Sequence, residues 1–332
     1  MTKRRPEGDG SSGATDLPRE FSFIRRHFRQ LAAREALDLT DDAAVFAPPP
    51  GREIVIAADA MVENVHFLPG DPPSTIGRKL LRANLSDMAA MAAIPFAWLL
   101  TVALPAGFEE AWFAEFCTGL AEDQRLFGVG LLGGDTTSTT GPLALSLTIL
   151  GHCAPGQALL RSGAAEGDSL WVTGTLGDGA LGLRALRGEI ADPTGWLTER
   201  YHLPRPRLGM ALAGVTSAAI DISDGLVQDA GHLARESGLA LRIEAARLPL
   251  SDAARAAGDT AVDAALCGGD DYELLLAVPP EKEAELQREA ERAGVAVTRI
   301  GMFSSGSGVT VYGPDNRPMV LQNPGWSHIG NA

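Results

Sequence analysis

The sequence predicts an α+β protein built from two mixed domains. Three observations carry this: a length of 332 residues, helical and strand periodicities that alternate along the chain, and a Gly-, Pro- and Ala-rich stretch over 154–167 between two such series. Residues 1–19 are Gly-, Ser- and charge-rich without an apolar centre, which reads as a disordered tail and not a signal peptide. The first domain then spans 20–154 and the second 155–332.

In the first domain, apolar spacing predicts a helix over 21–33 and short strands over 43–46, 53–58 and 65–68. A helix over 78–92, a strand over 96–104, a helix over 109–127 and strands over 129–132 and 143–151 follow. The apolar run 88–106 approaches the length of a membrane span, but Pro95 and Pro105 divide it. It reads as a buried helix followed by a buried strand. The second domain opens with a strand over 169–173. Helices over 179–187, 193–214, 226–236, 251–266 and 281–293 then alternate with strands over 218–222, 239–244, 272–278, 296–302 and 308–312.

Charge and cysteine usage narrow the function. Lys and Arg number 28 against 42 Asp and Glu, a net charge of −14 that repels nucleic-acid backbones and anionic lipid heads but suits metal ions. Cys117, Cys153 and Cys267 form no CxxC pair, so neither a disulfide framework nor a thiolate zinc site is expected, and a cytoplasmic setting fits. The three lysines, Lys3, Lys79 and Lys282, follow no glycine-rich loop, which excludes a P-loop. No protein-kinase, zinc-protease or serine-hydrolase signature occurs. Gly177, Gly179 and Gly182 do form a GxGxxG after the 169–173 strand, as in dinucleotide sites. The expected strand ending in an acid does not follow, so a tight turn that packs helix on strand explains the glycines as well.

The informative feature is a set of aspartates where loops or helix starts follow apolar strands. Asp41 and Asp42 precede 43–46, Asp59 ends the 53–58 strand, and Asp87 closes Asn84-Leu85-Ser86-Asp87. Asp135 follows Gly133-Gly134, and Asp221 and Asp224 flank Ser223 before Gly225. Apolar neighbours imply burial, and a buried carboxylate needs a cation or several donors. With few lysines to pair them, clustered acids call for a hard divalent ion such as Mg²⁺, which keeps waters and substrate phosphate as its remaining ligands. Asp224 also fits an N-cap, and one of Asp41 and Asp42 fits a turn. The glycine pair before Asp135 reads as a turn whose N–H groups approach a ligand.

These segments, together with Glu63-Asn64-Val65-His66-Phe67, Leu160-Arg161-Ser162-Gly163-Ala164, Gly268-Gly269-Asp270-Asp271-Tyr272-Glu273-Leu274 and Gly325-Trp326-Ser327-His328, resemble thiamine-monophosphate kinase, in order, from about residue 20 to the C-terminus. The resemblance implies the aminoimidazole-ribonucleotide synthetase-like fold, with a homodimer formed through the first-domain sheet and ATP near that interface. It implies ATP-dependent conversion of thiamine monophosphate to thiamine diphosphate with several Mg²⁺ ions. Carried over, Asp42, Asp59, Asp87, Asp135, Asp221 and Asp224 are the Mg²⁺ ligands. Gly134, Asp135, Arg161 and Ser223 contact ATP, and His66, Asp270 and Trp326 contact thiamine phosphate. Three positions depart from the family pattern: Thr40 replaces Gly, Ala58 replaces a hydroxyl residue, and Asp270 replaces Glu. Two rival readings stand beside this one, another ATP-using enzyme of the same superfamily with a different small acceptor, and a non-enzymatic divalent-metal module.

Overall fold

The computed structural model describes residues 19–258, 260–321 and 325–326. Residues 1–18 of the expected disordered tail and the Ser327-His328 end of the last motif lie outside the described residues, and Arg19, the last residue of that tail, opens the first helix. The first half comprises α1 (Arg19–His27), β1 (Glu53–Val62), α2 (Pro73–Ala90), β2 (Ile94–Pro105), α3 (Glu110–Phe127), β3 (Gly130–Thr139) and β4 (Ala144–Cys153). The second comprises β5 (Ser169–Thr173), α4 (Asp178–Leu186), α5 (Trp196–His202), β6 (Ala218–Asp221), α6 (Leu226–Ser237), β7 (Ala240–Glu244), α7 (Asp252–Ala256), α8 (Thr260–Cys267), β8 (Leu274–Val278), α9 (Glu283–Ala293), β9 (Val297–Ser304) and β10 (Gly308–Tyr312).

The first sheet runs β1-β4-β2-β3 and the second β10-β7-β9-β5-β8-β6. Alternation along the strands decides which face of the first sheet is core. Leu100, Val102, Leu145, Leu147 and Ile149 pack with Leu81, Leu85, Phe113 and Leu120 of α2 and α3. The opposite face stays largely open, with Ile56 63% and Ile94 57% exposed. Helix α2 is also the bridge between halves: its terminal Ala89 and Ala90 join the second-half cluster of Trp171, Leu212, Leu274 and Leu276. The apolar run that neared membrane length is the end of α2 followed by β2, and no helix among the described residues is long and apolar enough to cross a membrane.

Several expected elements differ. Residues 43–46 form no strand, and 65–68 contribute only an isolated Glu63–Phe67 bridge. Of the 193–214 helical region only α5 is helical, since Pro204 and Pro206 withhold backbone donors just beyond it. The strand predicted to stop at 132 runs on to Thr139 as β3, so Gly133-Gly134-Asp135 is strand and not turn. The glycine there serves sheet packing: a Cβ at Gly134 would lie 1.8 Å from the Leu100 carbonyl oxygen on β2. Likewise Asp59 lies inside β1 and does not end it.

Candidate active site

The two halves meet where α2 and β1 of the first face β6 and its following turn. The Asp59 N–H donates to Asn84 Oδ1 (3.2 Å), and the buried Asn84 amide donates to the Leu80 carbonyl (2.9 Å), which fixes β1 against α2. Asp87 lies one turn further along α2, half-buried. Across the junction Asp221 closes β6, buried at 7% exposure, and Asp224 lies in the turn before α6. That turn is shaped by Asp229, whose carboxylate accepts the N–H groups of Ser223 (3.1 Å), Asp224 (3.1 Å) and Gly225 (3.2 Å). Asp224 is not the N-cap expected from the sequence: Gly225 stands at that position with no side-chain cap, and Asp229 holds the three N–H groups of the turn that leads into α6. Asp224 instead accepts from Gln228 Nε2 at 3.0 Å.

Electrostatics tie four carboxylates into one group. Burial pushes the Asp87 pKa up to about 8, with Asp221 and then Asp59 adding repulsion and Arg161 opposing. Asp221 is raised to about 6 by burial and by Asp59, against the pull of the Ser86 hydroxyl and Arg161. Asp59 remains open to solvent on one side, yet the protein around it raises its pKa, and Asp224 raises it further. Asp59 and Asp87 come from the first half, Asp221 and Asp224 from the second. Arg161, an exposed residue, is the cation felt by both buried members; the neighbouring Leu160 carbonyl is held by the Ala219 N–H of β6 at 3.0 Å.

Asp42, Gly134 and Asp135 are not part of that group. They line a cavity of about 660 Å³ that lies over β3, β2 and β4 beneath residues 36–46, with Thr101 and Thr148. Register explains the separation. Asp59, Leu147, Leu100 and Gly134 form one row across the sheet. Three interstrand steps, ~14 Å, thus lie between Asp59 and β3. Asp135 pairs with Thr101, on the face opposite Leu100. Within one chain the six aspartates form a quartet and a separate pair.

The other expected residues fall around the quartet's loops. Ser223 is exposed in the Asp221–Asp224 turn. The Asp270 N–H donates to the Ser223 carbonyl (3.0 Å), so the Gly268–Tyr272 loop is laced to that turn. Trp326 donates its backbone N–H to the Asp224 carbonyl (2.9 Å), and the residue is 53% exposed. His66 is half-buried, and its Nδ1 accepts the Val62 N–H (3.0 Å), which places the proton of a neutral ring on Nε2.

The GxGxxG segment is filled from within. The buried Asp271 carboxylate accepts the Gly177 N–H (2.8 Å) and the Gly179 N–H (3.2 Å), where a pyrophosphate would bind. A Cβ on Gly179 would lie 2.4 Å from the Asp270 carbonyl oxygen, and one on Gly182 2.1 Å from that of Leu197. These glycines serve packing.

The quartet's donors fit a hard divalent ion: all are carboxylate oxygens, they repel one another, and three have raised pKa values that a cation would reverse. Among the described residues no three His, Cys, Asp or Glu side chains close on one point as a finished cage. That suits an ion held by one or two carboxylates and completed by water and phosphate.

Comparison with known proteins agrees with this architecture. Residues 40–153 match the AIR synthase related protein N-terminal domain and residues 165–313 its C-terminal domain. The thiamine-monophosphate kinase of Caulobacter vibrioides is 45% identical over 334 residues, covering 97% of this chain and 94% of the relative. The chain belongs to the thiamine-monophosphate kinase family. A crystal structure of thiamine-monophosphate kinase from Stenotrophomonas maltophilia has 39% identity and a TM-score of 0.76, covering 82% of this chain and 89% of that one. A second structure, AaThiL complexed with AMPPCP and TMP, has 30% identity and a TM-score of 0.76 over 87% of this chain and 91% of that one. Within this thiamine-monophosphate kinase fold, sequence reasoning missed Asp229 and Lys79. Asp229 had a signal, an acid one turn into a helix that follows Asp-Gly. For Lys79 the signal was a lysine, one of three in the chain, within a helix whose next residues, Leu80 and Leu81, are apolar.

Proposed function

We propose that this chain transfers the γ-phosphoryl group of ATP to the phosphate of thiamine monophosphate, giving ADP and thiamine diphosphate, with Mg²⁺ held by Asp59, Asp87, Asp221 and Asp224. The observation that carries the reading is the convergence of these acids from two halves with no buried cation among them. Two anionic phosphates must be brought into line, and charge neutralisation is the main obstacle. When bound, magnesium supplies that neutralisation. Arg161 offers a forked donor to nucleotide phosphate, Ser223 offers its hydroxyl, and the ring of the exposed Trp326 stacks on the cationic heterocycle. His66 presents Nε2–H to the acceptor, and Asp270 lines the same pocket.

The attacking phosphate oxygen is already ionised at neutral pH, so no general base is needed. Its bond to Pγ forms as the bond from Pγ to the β,γ-bridging oxygen breaks, and ADP departs with that electron pair. No phosphoenzyme is required. Asp42, Gly134 and Asp135 serve the nucleotide from the cavity over β3. That cavity adjoins the open sheet face with Ile56, Ile94 and Leu99, and we assign this face to a homodimer interface, which puts ATP near the junction of two subunits. ATP as donor and three unpaired cysteines support a cytoplasmic setting.

Incubation with ATP, Mg²⁺ and thiamine monophosphate, followed by ³¹P NMR and chromatography, tests the reading. ADP and thiamine diphosphate in equal amounts are expected. ATP consumption without thiamine diphosphate would point to a sister enzyme with another acceptor.

A further inference from the structure

Lys79 lies on α2 with its side chain 2% exposed, and burying an ammonium costs several kcal/mol unless its partners are well placed. Its Nζ donates to the Asp270 carboxylate (3.1 Å) and to the His66 carbonyl (3.1 Å), and lies 3.7 Å from the centroid of the Tyr201 ring. The Tyr201 hydroxyl donates to the same His66 carbonyl at 3.4 Å. His66 and α2 belong to the first half, Tyr201 and Asp270 to the second. One ammonium thus ties the backbone of one acceptor-site residue to the side chain of another across the domain junction. Lys79 and Asp87 sit eight residues apart on α2, ~12 Å along its axis, and both address the second half.

Asp270 is also held on its other sides. Its φ of 67° and the φ of 50° at Tyr272 are left-handed, a strain that persists only where surroundings over-determine it. The Asp270 N–H donates to the Ser223 carbonyl, the Tyr272 N–H to that of Ile222 (2.8 Å), and the Tyr272 hydroxyl to Asp270 Oδ1 (3.3 Å). The Asp221–Asp224 turn keeps its own anchor in Asp229. Loss of the Lys79 contact therefore frees Asp270 and His66 more than it frees the turn.

We propose that Lys79 is a positioning residue for the phosphoryl acceptor: without touching a reactant, it fixes His66 against Asp270 and so sets the shape of the thiamine monophosphate pocket. This rests on the reading of those two residues as acceptor contacts.

The test is steady-state kinetics on full-length Lys79→Met and Lys79→Gln, varying each substrate separately. Lys79→Gln retains a donor for the His66 carbonyl and guards against a misfolded Met variant. A charge-assisted hydrogen bond of this kind corresponds to a rise of ~10-fold or more in KM for thiamine monophosphate in Lys79→Met, and a smaller rise in Lys79→Gln, with KM for ATP within about twofold of wild type. In the double variant Lys79→Met/Asp270→Asn the two effects on that KM should be less than additive, since either change alone opens the clasp. An unchanged KM for thiamine monophosphate in a folded variant, a parallel rise for both substrates, or strict additivity would overturn the proposal while leaving the kinase reading intact. A wild-type chain that makes no thiamine diphosphate would overturn both.

Discussion

Asp221 and Glu273 are both buried acids at the ends of adjoining strand segments, and their surroundings could hardly differ more. Glu273 accepts from Arg200 (3.0 Å), from Arg207 and from Thr173 Oγ1 (2.7 Å). Asp123 in the first half is held the same way by Arg82 and Arg78. Asp221 faces Asp59 and Asp87 instead, and none of the ion pairs among the described residues includes it or Asp87. The difference separates two uses of a buried carboxylate. One matched to guanidinium holds the fold together, and one set against other acids is complete only with a cation from outside.

Exchange of each acid for its amide gives the largest contrast. Asp221→Asn or Asp87→Asn should lower kcat by ~10²-fold or more through loss of metal-supported charge stabilisation. The metal-free Tm should stay level or rise, because repulsion is relieved. Glu273→Gln leaves two arginines facing a neutral group and should cost ~3–5 kcal/mol of stability. At ~2–4 °C per kcal/mol, that is a fall in Tm of roughly 6–20 °C, read by scanning calorimetry. Equal destabilisation by Asp221→Asn and Glu273→Gln would erase the distinction.

Metal removal comes next. Saturating Mg²⁺ with a non-hydrolysable ATP analogue should stabilise the wild type by about 2–4 kcal/mol at 100–1,000 times its dissociation constant. Asp87→Asn should lose most of that gain and Glu273→Gln should keep it. Ca²⁺ stabilising as well as Mg²⁺, with no ATP turnover, would favour a metal-binding module over an enzyme.

The sequence makes visible the chemistry of this contrast but not its partition. Strand β5 and helix α3 lie almost where apolar spacing predicts them, because a continuous buried run and a full amphipathic stripe are local signals. The Gly133-Gly134 pair suggests a turn, since the need for a bare backbone there comes from Leu100 on a neighbouring strand. The aspartates stand out through their apolar neighbours, yet Asp42, Asp59 and Asp135 are exposed while Asp271, second in an Asp-Asp pair, is buried on two glycine N–H groups. Which acids meet is decided by strand register and by the docking of two halves, neither of which a single sequence displays.

A pH series sharpens the comparison further. Asp87 and Asp221 titrate in the folded chain at about 8 and about 6, above the ordinary 3.8. Such groups hold extra protons in the folded state, so their stabilising contribution is full below pH ~4 and is lost as pH rises through 6 and 8. Metal-free wild type should therefore lose stability relative to Asp87→Asn between pH 5 and 8.5, by ~2–4 °C in Tm for each kcal/mol of linkage. Mg²⁺ should cancel the trend. A Tm difference between the two proteins that does not change with pH would place the Asp87 carboxylate outside the coupled group.

The smallest effect lies at the rim of the quartet. Trp326 is pinned through its backbone, by its N–H to the Asp224 carbonyl and by its carbonyl, which accepts from Gln228 Nε2 (2.7 Å). Gly325 supports the arrangement, since a Cβ there would lie 2.7 Å from the Gln228 side chain. The residue as a whole is more than half exposed. Trp326→Ala should lower Tm far less than Glu273→Gln, and should leave KM for ATP unchanged, unlike loss of an aspartate. Stacking of an indole on a cationic thiazolium is worth ~0.5–2 kcal/mol, so KM for thiamine monophosphate should rise ~2–30-fold. An unchanged value would remove Trp326 from the acceptor site and leave its backbone as a brace for the Asp224 turn.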